Sequence, residues 1–114
     1  MTRKNGRHMP AFLLLFLAQE PLHGAALLSK MENDLPFCFA DSAGLYRTLQ
    51  RLEADGLIHG SWENLESGAP RKIYAITPAG LLELKAQAED LRQRQENIRV
   101  FFERLEALQN KERV

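Results

Sequence analysis

Between Ser42 and Asp55 the apolar positions fall at Leu45, Leu49 and Leu52. This i, i+4, i+7 spacing places them on one narrow face of a helix. The opposite face carries Ala43, Arg47, Gln50 and Arg51, flanked by Tyr46 and Thr48, with no carboxylate before Glu53. Asp41 or Ser42 can cap the start through a side-chain oxygen, and Gly56 can end the helix in a left-handed turn. Upstream, Phe12 to Leu17 is apolar on every side and follows Pro10, which suits a first helical turn. A small domain can hardly cover such a helix with its own residues, so part of it is expected to meet a partner. The segment from Glu20 to Gly24 breaks this helix and starts a second, whose inward face is Leu27, Leu28 and Met31. The connection from Asn33 to Asp41 is expected to hold Phe37, Cys38 and Phe39 tucked beneath it.

After Gly56 the period shortens. Leu57 to Glu63 and Arg71 to Thr77, with Ile58, Trp62, Ile73, Tyr74 and Ile76, read as strands. The polar stretch Asn64 to Pro70 joins them, and Arg71 and Lys72 stand where it enters the second strand. Thr77 and Pro78 then open a helix free of proline and glycine from Leu81 to about Asn110, roughly 45 Å long. Its apolar residues keep a heptad. Leu81, Ala88 and Phe102 share one core position, which Gln95 interrupts, and Leu84, Leu91, Ile98 and Leu105 share the other. Phe101 and Leu108 widen the stripe.

Three helices followed directly by a two-stranded hairpin describe a winged helix, mainly α with a small β-hairpin wing. The expected organisation is a flexible basic arm over residues 1–9, a winged-helix domain over 10–77 and a C-terminal dimerisation helix over 78–114. The heptad spacing implies a homodimer built on a coiled coil.

The 114 residues suffice for one domain with one core. Fifteen basic and fifteen acidic residues cancel, which argues against coating nucleic acid by bulk charge and leaves room for a few placed cations. Cys38 is the only cysteine, so no internal disulfide forms, and it is expected to be a buried, inert thiol. Arg3, Lys4 and Arg7 before Ala11–Ala18 imitate a signal peptide, but no convincing cleavage site follows and the run is too short for a bilayer. A cytoplasmic protein without membrane association is expected. His8, His23 and His59 lie far apart in sequence, and His23 reads as a packed or capping residue. No zinc spacing, phosphate loop or nucleophile elbow occurs, so no metal, cofactor or enzymatic activity is expected.

A short helix with an apolar back and a front of Arg47, Gln50 and Arg51 suits the major groove of double-stranded DNA. A wing carrying Arg71 and Lys72 can lie along the adjoining backbone or minor groove. The competing reading is a winged-helix module that binds protein and not DNA. DNA binding requires Arg47, Arg51, Arg71 and Lys72 to share an exposed face, whereas a protein-binding module does not.

Over residues 10 to 82 the chain resembles the PadR family of bacterial transcriptional regulators, which are winged-helix dimers that bind DNA. The resemblance rests on Leu22-His23-Gly24, on Gly44-Leu45-Tyr46 with Leu49-Gln50-Arg51-Leu52-Glu53, and on Asp55-Gly56-Leu57-Ile58. It continues through Pro70-Arg71-Lys72-Ile73-Tyr74 and Ile76-Thr77-Pro78-Ala79-Gly80. The single last helix is similar to the short branch of the family. The resemblance implies a regulator, expected to be a dimeric repressor on an inverted-repeat operator. It also implies DNA contact at Tyr46 and Arg51 in the recognition helix and at Arg71 and Lys72 on the wing. Arg47 and Gln50 join them from their place on the helix surface. Ala25 and Ala75 depart from the family, which usually has a tyrosine at the first position and often a cation at the second.

Phe12, Phe16, Leu91, Ile98, Phe101 and Phe102, with Gln95 as the polar group, are candidates to line an effector pocket at the dimer axis. A small apolar or aromatic ligand there could alter the spacing of the recognition helices. Some short family members bind flat aromatic drugs by stacking, but the stretch near Leu91 has no tryptophan. A solidly packed dimer core is the competing reading of the same residues.

Overall fold

The computed structural model describes residues 8–63, 66 and 68–113. The expected basic arm falls almost wholly outside these residues, as does part of the loop between the hairpin strands. Seven elements follow in order: α1 (Met9–Gln19), β1 (Leu22–His23), α2 (Gly24–Asp34), α3 (Ser42–Ala54), β2 (Ile58–Glu63), β3 (Arg71–Ile76) and α4 (Pro78–Arg113). The described residues group into two units, the first ending at Leu84 and the second beginning at Lys85.

In the first unit, α1 runs through the core. Met9, Ala11, Leu13, Leu14, Phe16 and Leu17 are all buried, against α2, α3 and β3. The domain therefore covers most sides of this helix itself, and Leu15, 41% exposed, is its one large apolar residue left open. This helix can be apolar all round because three elements surround it. Leu27 and Met31 of α2, Leu45, Leu49 and Leu52 of α3, and Ile58 and Tyr74 of the sheet complete the core.

The helix ends follow the local chemistry. The Ala26 N–H donates to His23 Nδ1 at 3.2 Å, so His23 caps α2. The Gly44 N–H donates to Asp41 Oδ1 at 2.6 Å and caps α3, whose chain then reverses through Gly56 at φ 77°. Thr77 acts in both directions. Its hydroxyl donates to the Gly56 carbonyl at 2.7 Å and accepts from the Gly80 N–H at 3.1 Å, joining the end of the α3 turn to the start of α4.

The hairpin pairs Ile58 with Ile76, Gly60 with Tyr74 and Trp62 with Lys72. The sheet has three strands where the sequence period predicts two. β1 adds antiparallel to the free edge of β3, Leu22 opposite Tyr74 and His23 opposite Ile73, giving the order β1-β3-β2. Two residues are too few to show a period; the partner edge makes them a strand.

The α2–α3 connection corrects the expectation for Cys38. It is exposed, and Phe37 is 90% exposed, so neither is tucked beneath the connection. Only Phe39 of the three turns inward, its ring 5.7 Å from that of Phe12. Phe39 packs against a core cluster made by α1, α2, α3 and the sheet, which Phe37 and Cys38 do not join. The Cys38 sulfur engages only local backbone, accepting from the Ala40 N–H at 3.4 Å.

In the second unit α4 continues the heptad, and no residue from Lys85 to Glu112 is buried. Ile98, Phe101, Phe102 and Leu108 are each more than half exposed. Its polar side is laced by helical ion pairs, among them Arg94–Asp90 at 2.8 Å and Arg99–Glu96 at 2.7 Å. No described helix is long and apolar enough to cross a membrane.

Candidate nucleic-acid interface

With Leu45, Leu49 and Leu52 sealed into the core, α3 presents its other side to solvent. Tyr46, Arg47, Gln50 and Arg51 are all exposed. Arg47 and Arg51 stand one turn apart, and Gln50 lies between them. None of these three side chains is hydrogen-bonded or ion-paired to another described residue. Three arginines of α4 contrast with them, because Arg92, Arg94 and Arg99 each pair with an acid of their own helix, although Arg104 does not. Two guanidinium groups and an amide are thus held on a helix with their donors unengaged by any described residue.

Tyr46 has a second role. Its ring lies on Gly24, at the first turn of α2, where a side chain would collide with it. This contact braces α3 against α2 and leaves Tyr46 42% exposed.

The wing separates the two cations that the sequence presents together. Adjacent strand residues point to opposite faces. Arg71 is exposed, and its Nε donates to Glu63 Oε1 at 2.8 Å across the hairpin. Lys72 turns to the other face, where its Nζ donates to Glu53 Oε1 at 2.9 Å. Its ammonium also stands 5.8 Å from the Trp62 ring centroid and 5.5 Å from that of Tyr74. The hydrogen bond from Lys72 is the main cause holding the Glu53 carboxyl below its ordinary value, with the Gly60 N–H and the Lys72 and His59 charges adding to it against partial burial. The same bond raises the Lys72 ammonium. Burial is the main cause raising the Tyr74 phenol.

No pattern in the sequence marks Glu53 as part of this surface. Its partner is nineteen residues away along the chain, and only strand parity hinted at the meeting. Ile58 is buried on the inner face, so Gly60 and Trp62 share that face and their register partners Tyr74 and Lys72 follow.

The remaining candidates divide between the two units. Phe16 is a core residue, 5% exposed, and Phe12 is half-buried beside it and Phe39. Leu91 is half-buried and Gln95 exposed on α4, and the exposed rings of Phe101 and Phe102 meet edge to face at 5.1 Å. Among the described residues no group of His, Cys, Asp and Glu is placed to hold a metal ion.

Residues 13–86 match the Transcriptional regulator PadR-like family. The transcriptional regulator Rv3488 of Mycobacterium tuberculosis is 39% identical over 69 residues, which are 60% of this chain and 61% of that protein. The chain thus spans about three fifths of that curated relative. A PadR family transcription regulator from hypervirulent Clostridium difficile R20291 superposes with a TM-score of 0.73 at 21% identity, over 84% of this chain and 99% of the other. Bacillus subtilis PadR in complex with operator DNA gives a TM-score of 0.67 at 24% identity, over 72% of this chain and 47% of that one. These two structures share the fold.

Proposed function

Because this chain belongs to the PadR-like family of transcriptional regulators, we propose that it acts as a homodimeric repressor that reads an inverted-repeat operator. It is a transcriptional regulator and not an enzyme. The observation that carries the DNA-contact assignment is the set Arg47, Gln50 and Arg51, exposed on α3 without partners among the described residues. Partnerless guanidinium and amide groups on a rigid helix are what bidentate contact with guanine or adenine edges uses, and they serve phosphates equally. Tyr46 joins them from the α2 side. Arg71 joins from the wing, since its ion pair with Glu63 is exposed at 46% and 44% and yields readily to a phosphate.

Residues 10–77 serve as the DNA-binding domain and 78–114 as the dimerisation helix, its exposed Ile98, Phe101, Phe102 and Leu108 covered by a second copy. The two recognition helices then enter successive major grooves about 34 Å apart. That B. subtilis PadR was crystallised with operator DNA supports the same partner here. The protein works in the cytoplasm, with its DNA. Where the two α4 helices cross instead of pairing along their length, Gln95, Ile98, Phe101 and Phe102 would line a cavity for an apolar or aromatic effector, without Phe16, which is committed to the core. Of the four cations whose shared face separates this reading from a winged-helix module for protein partners, Arg47 and Arg51 share one exposed helix face. Arg71 and Lys72 lie on opposite faces of the wing, and Lys72 is held by Glu53.

The test is recovery of genomic fragments bound by the purified protein, followed by anisotropy titrations. Arg47→Ala and Arg51→Ala should each weaken operator binding by about 1–3 kcal/mol. Retention of full affinity by both variants would reassign the interface.

A further inference from the structure

Glu53 lies in the last turn of α3, and its two carboxylate oxygens have different partners. Oε1 accepts from Lys72 Nζ at 2.9 Å, and Oε2 accepts from the Gly60 backbone N–H at 3.2 Å. Gly60 belongs to β2 and Lys72 to β3, so one carboxylate ties both wing strands to the helix bearing Arg47, Gln50 and Arg51. The path for the lysine exists because residue 60 has no side chain. A Cβ there would overlap Lys72 Cε and stand 3.1 Å from Glu53 Oε2. The rings of Trp62 and Tyr74 flank the ammonium. Both side chains of this pair are 30% exposed, against 46% and 44% for Arg71 and Glu63 on the opposite face. The Glu53–Lys72 pair is therefore the less screened of the two wing ion pairs.

We propose that Glu53 is a positioning residue for DNA recognition, which sets the wing against the recognition helix before the duplex arrives, and that Lys72 serves this carboxylate and not a phosphate. The inference rests on the DNA-binding reading above. A duplex engages the helix and the wing at a fixed spacing, and a wing already held there spares the ordering cost of binding.

Two mechanisms predict opposite signs. If Glu53 acts only through its charge, removing an acid near a polyanion and releasing an ammonium tightens binding to any duplex. If it positions the wing, Glu53→Gln weakens operator binding although the protein becomes more cationic.

The experiment measures anisotropy titrations across a salt series, with the operator fragment and an unrelated duplex, for wild type, Glu53→Gln, Lys72→Met and the double variant. Each is held below its unfolding transition. Each single variant should lose operator affinity roughly three- to thirtyfold, with little loss on the unrelated duplex. The double variant should lose no more than either alone. Lys72→Met keeps the apolar stem, and its salt slope should match wild type. Trp62, the only tryptophan, reports on the clamp in free protein, and Glu53→Gln should shift its emission as the ammonium leaves the ring. Equal or tighter operator binding by Glu53→Gln overturns the inference. So do additive losses, or a salt slope lowered by about one in Lys72→Met. A wild-type protein that binds no duplex defeats the DNA-binding reading itself and takes this inference with it.

Discussion

Tyr46 occupies the space that a side chain on residue 24 would need: a Cβ built on Gly24 stands 2.5 Å from Tyr46 Cε1 and 2.6 Å from its hydroxyl oxygen. Gly24 begins α2 and Tyr46 sits in the first turns of α3, so their contact sets how closely the two helices approach. It also fixes where the exposed half of the Tyr46 ring stands.

Gly24→Ala should therefore destabilise the domain by about 1–3 kcal/mol, although alanine is the better helix former. Chemical denaturation measures the loss. Pairing it with Tyr46→Ala should recover part of that loss, because the truncated residue vacates the space. Purely additive effects would mean the two side chains do not share it.

The Glu53–Lys72 pair implies a defined pH window. The carboxyl is lowered in the folded protein, chiefly by the Lys72 hydrogen bond, so its contribution is complete above the ordinary carboxylate value and is lost as pH falls through the lowered one. The ammonium is raised, chiefly by the Glu53 hydrogen bond, so its contribution is complete below the ordinary lysine value and is lost as pH rises through the raised one. The stability difference between wild type and Glu53→Gln should be flat from about pH 6 to pH 9 and shrink in acid below about pH 4. A gap that persists unchanged at the acid end would remove the pair as its source.

On α4, Ile98 is 54% exposed, Phe101 60% and Phe102 52%. Wild type should sediment as a dimer at about micromolar concentration, and Ile98→Glu, which places a charge in the helix seam, should sediment as a monomer. Leu91→Glu should act in the same direction. Arg47 and Arg51 remain on the monomer, so operator affinity should fall while weak binding to any duplex persists. A monomeric wild type would exclude the proposed assembly.

Gly56 takes φ 77° with nothing within 4 Å of where a Cβ would stand. Gly56→Ala should cost about 1–2 kcal/mol through backbone strain alone, and Gly56→Asn less, since asparagine tolerates the left-handed region. Thermal unfolding of the two variants distinguishes strain from collision, because collision would penalise the larger asparagine more.

By itself the sequence determined what depends on near neighbours. The α3 cap at Asp41 or Ser42, which the structure gives to Asp41, the cap at Thr77, the turn at Gly56, the inward face of Leu45, Leu49 and Leu52 and the change to strand period after Leu57 are each set within a few residues. All are present in the structure. Arg47, Gln50 and Arg51 were legible as a surface for the same reason, since helical spacing alone puts them opposite the leucines. Tertiary structure decided what depends on distant partners. Leu22 and His23 became a strand only because β3 offered an edge. Of the Phe37-Cys38-Phe39 run, only Phe39 packs inward, beside Phe12 of α1, while Cys38 and Phe37 stay outside. Arg71 and Lys72 look like one basic pair in the chain, yet the strand pleat sends them to opposite faces, where Glu63 takes one and Glu53 the other. Charge can be counted along a sequence, but whether a charge is free depends on the acid that folding brings to it.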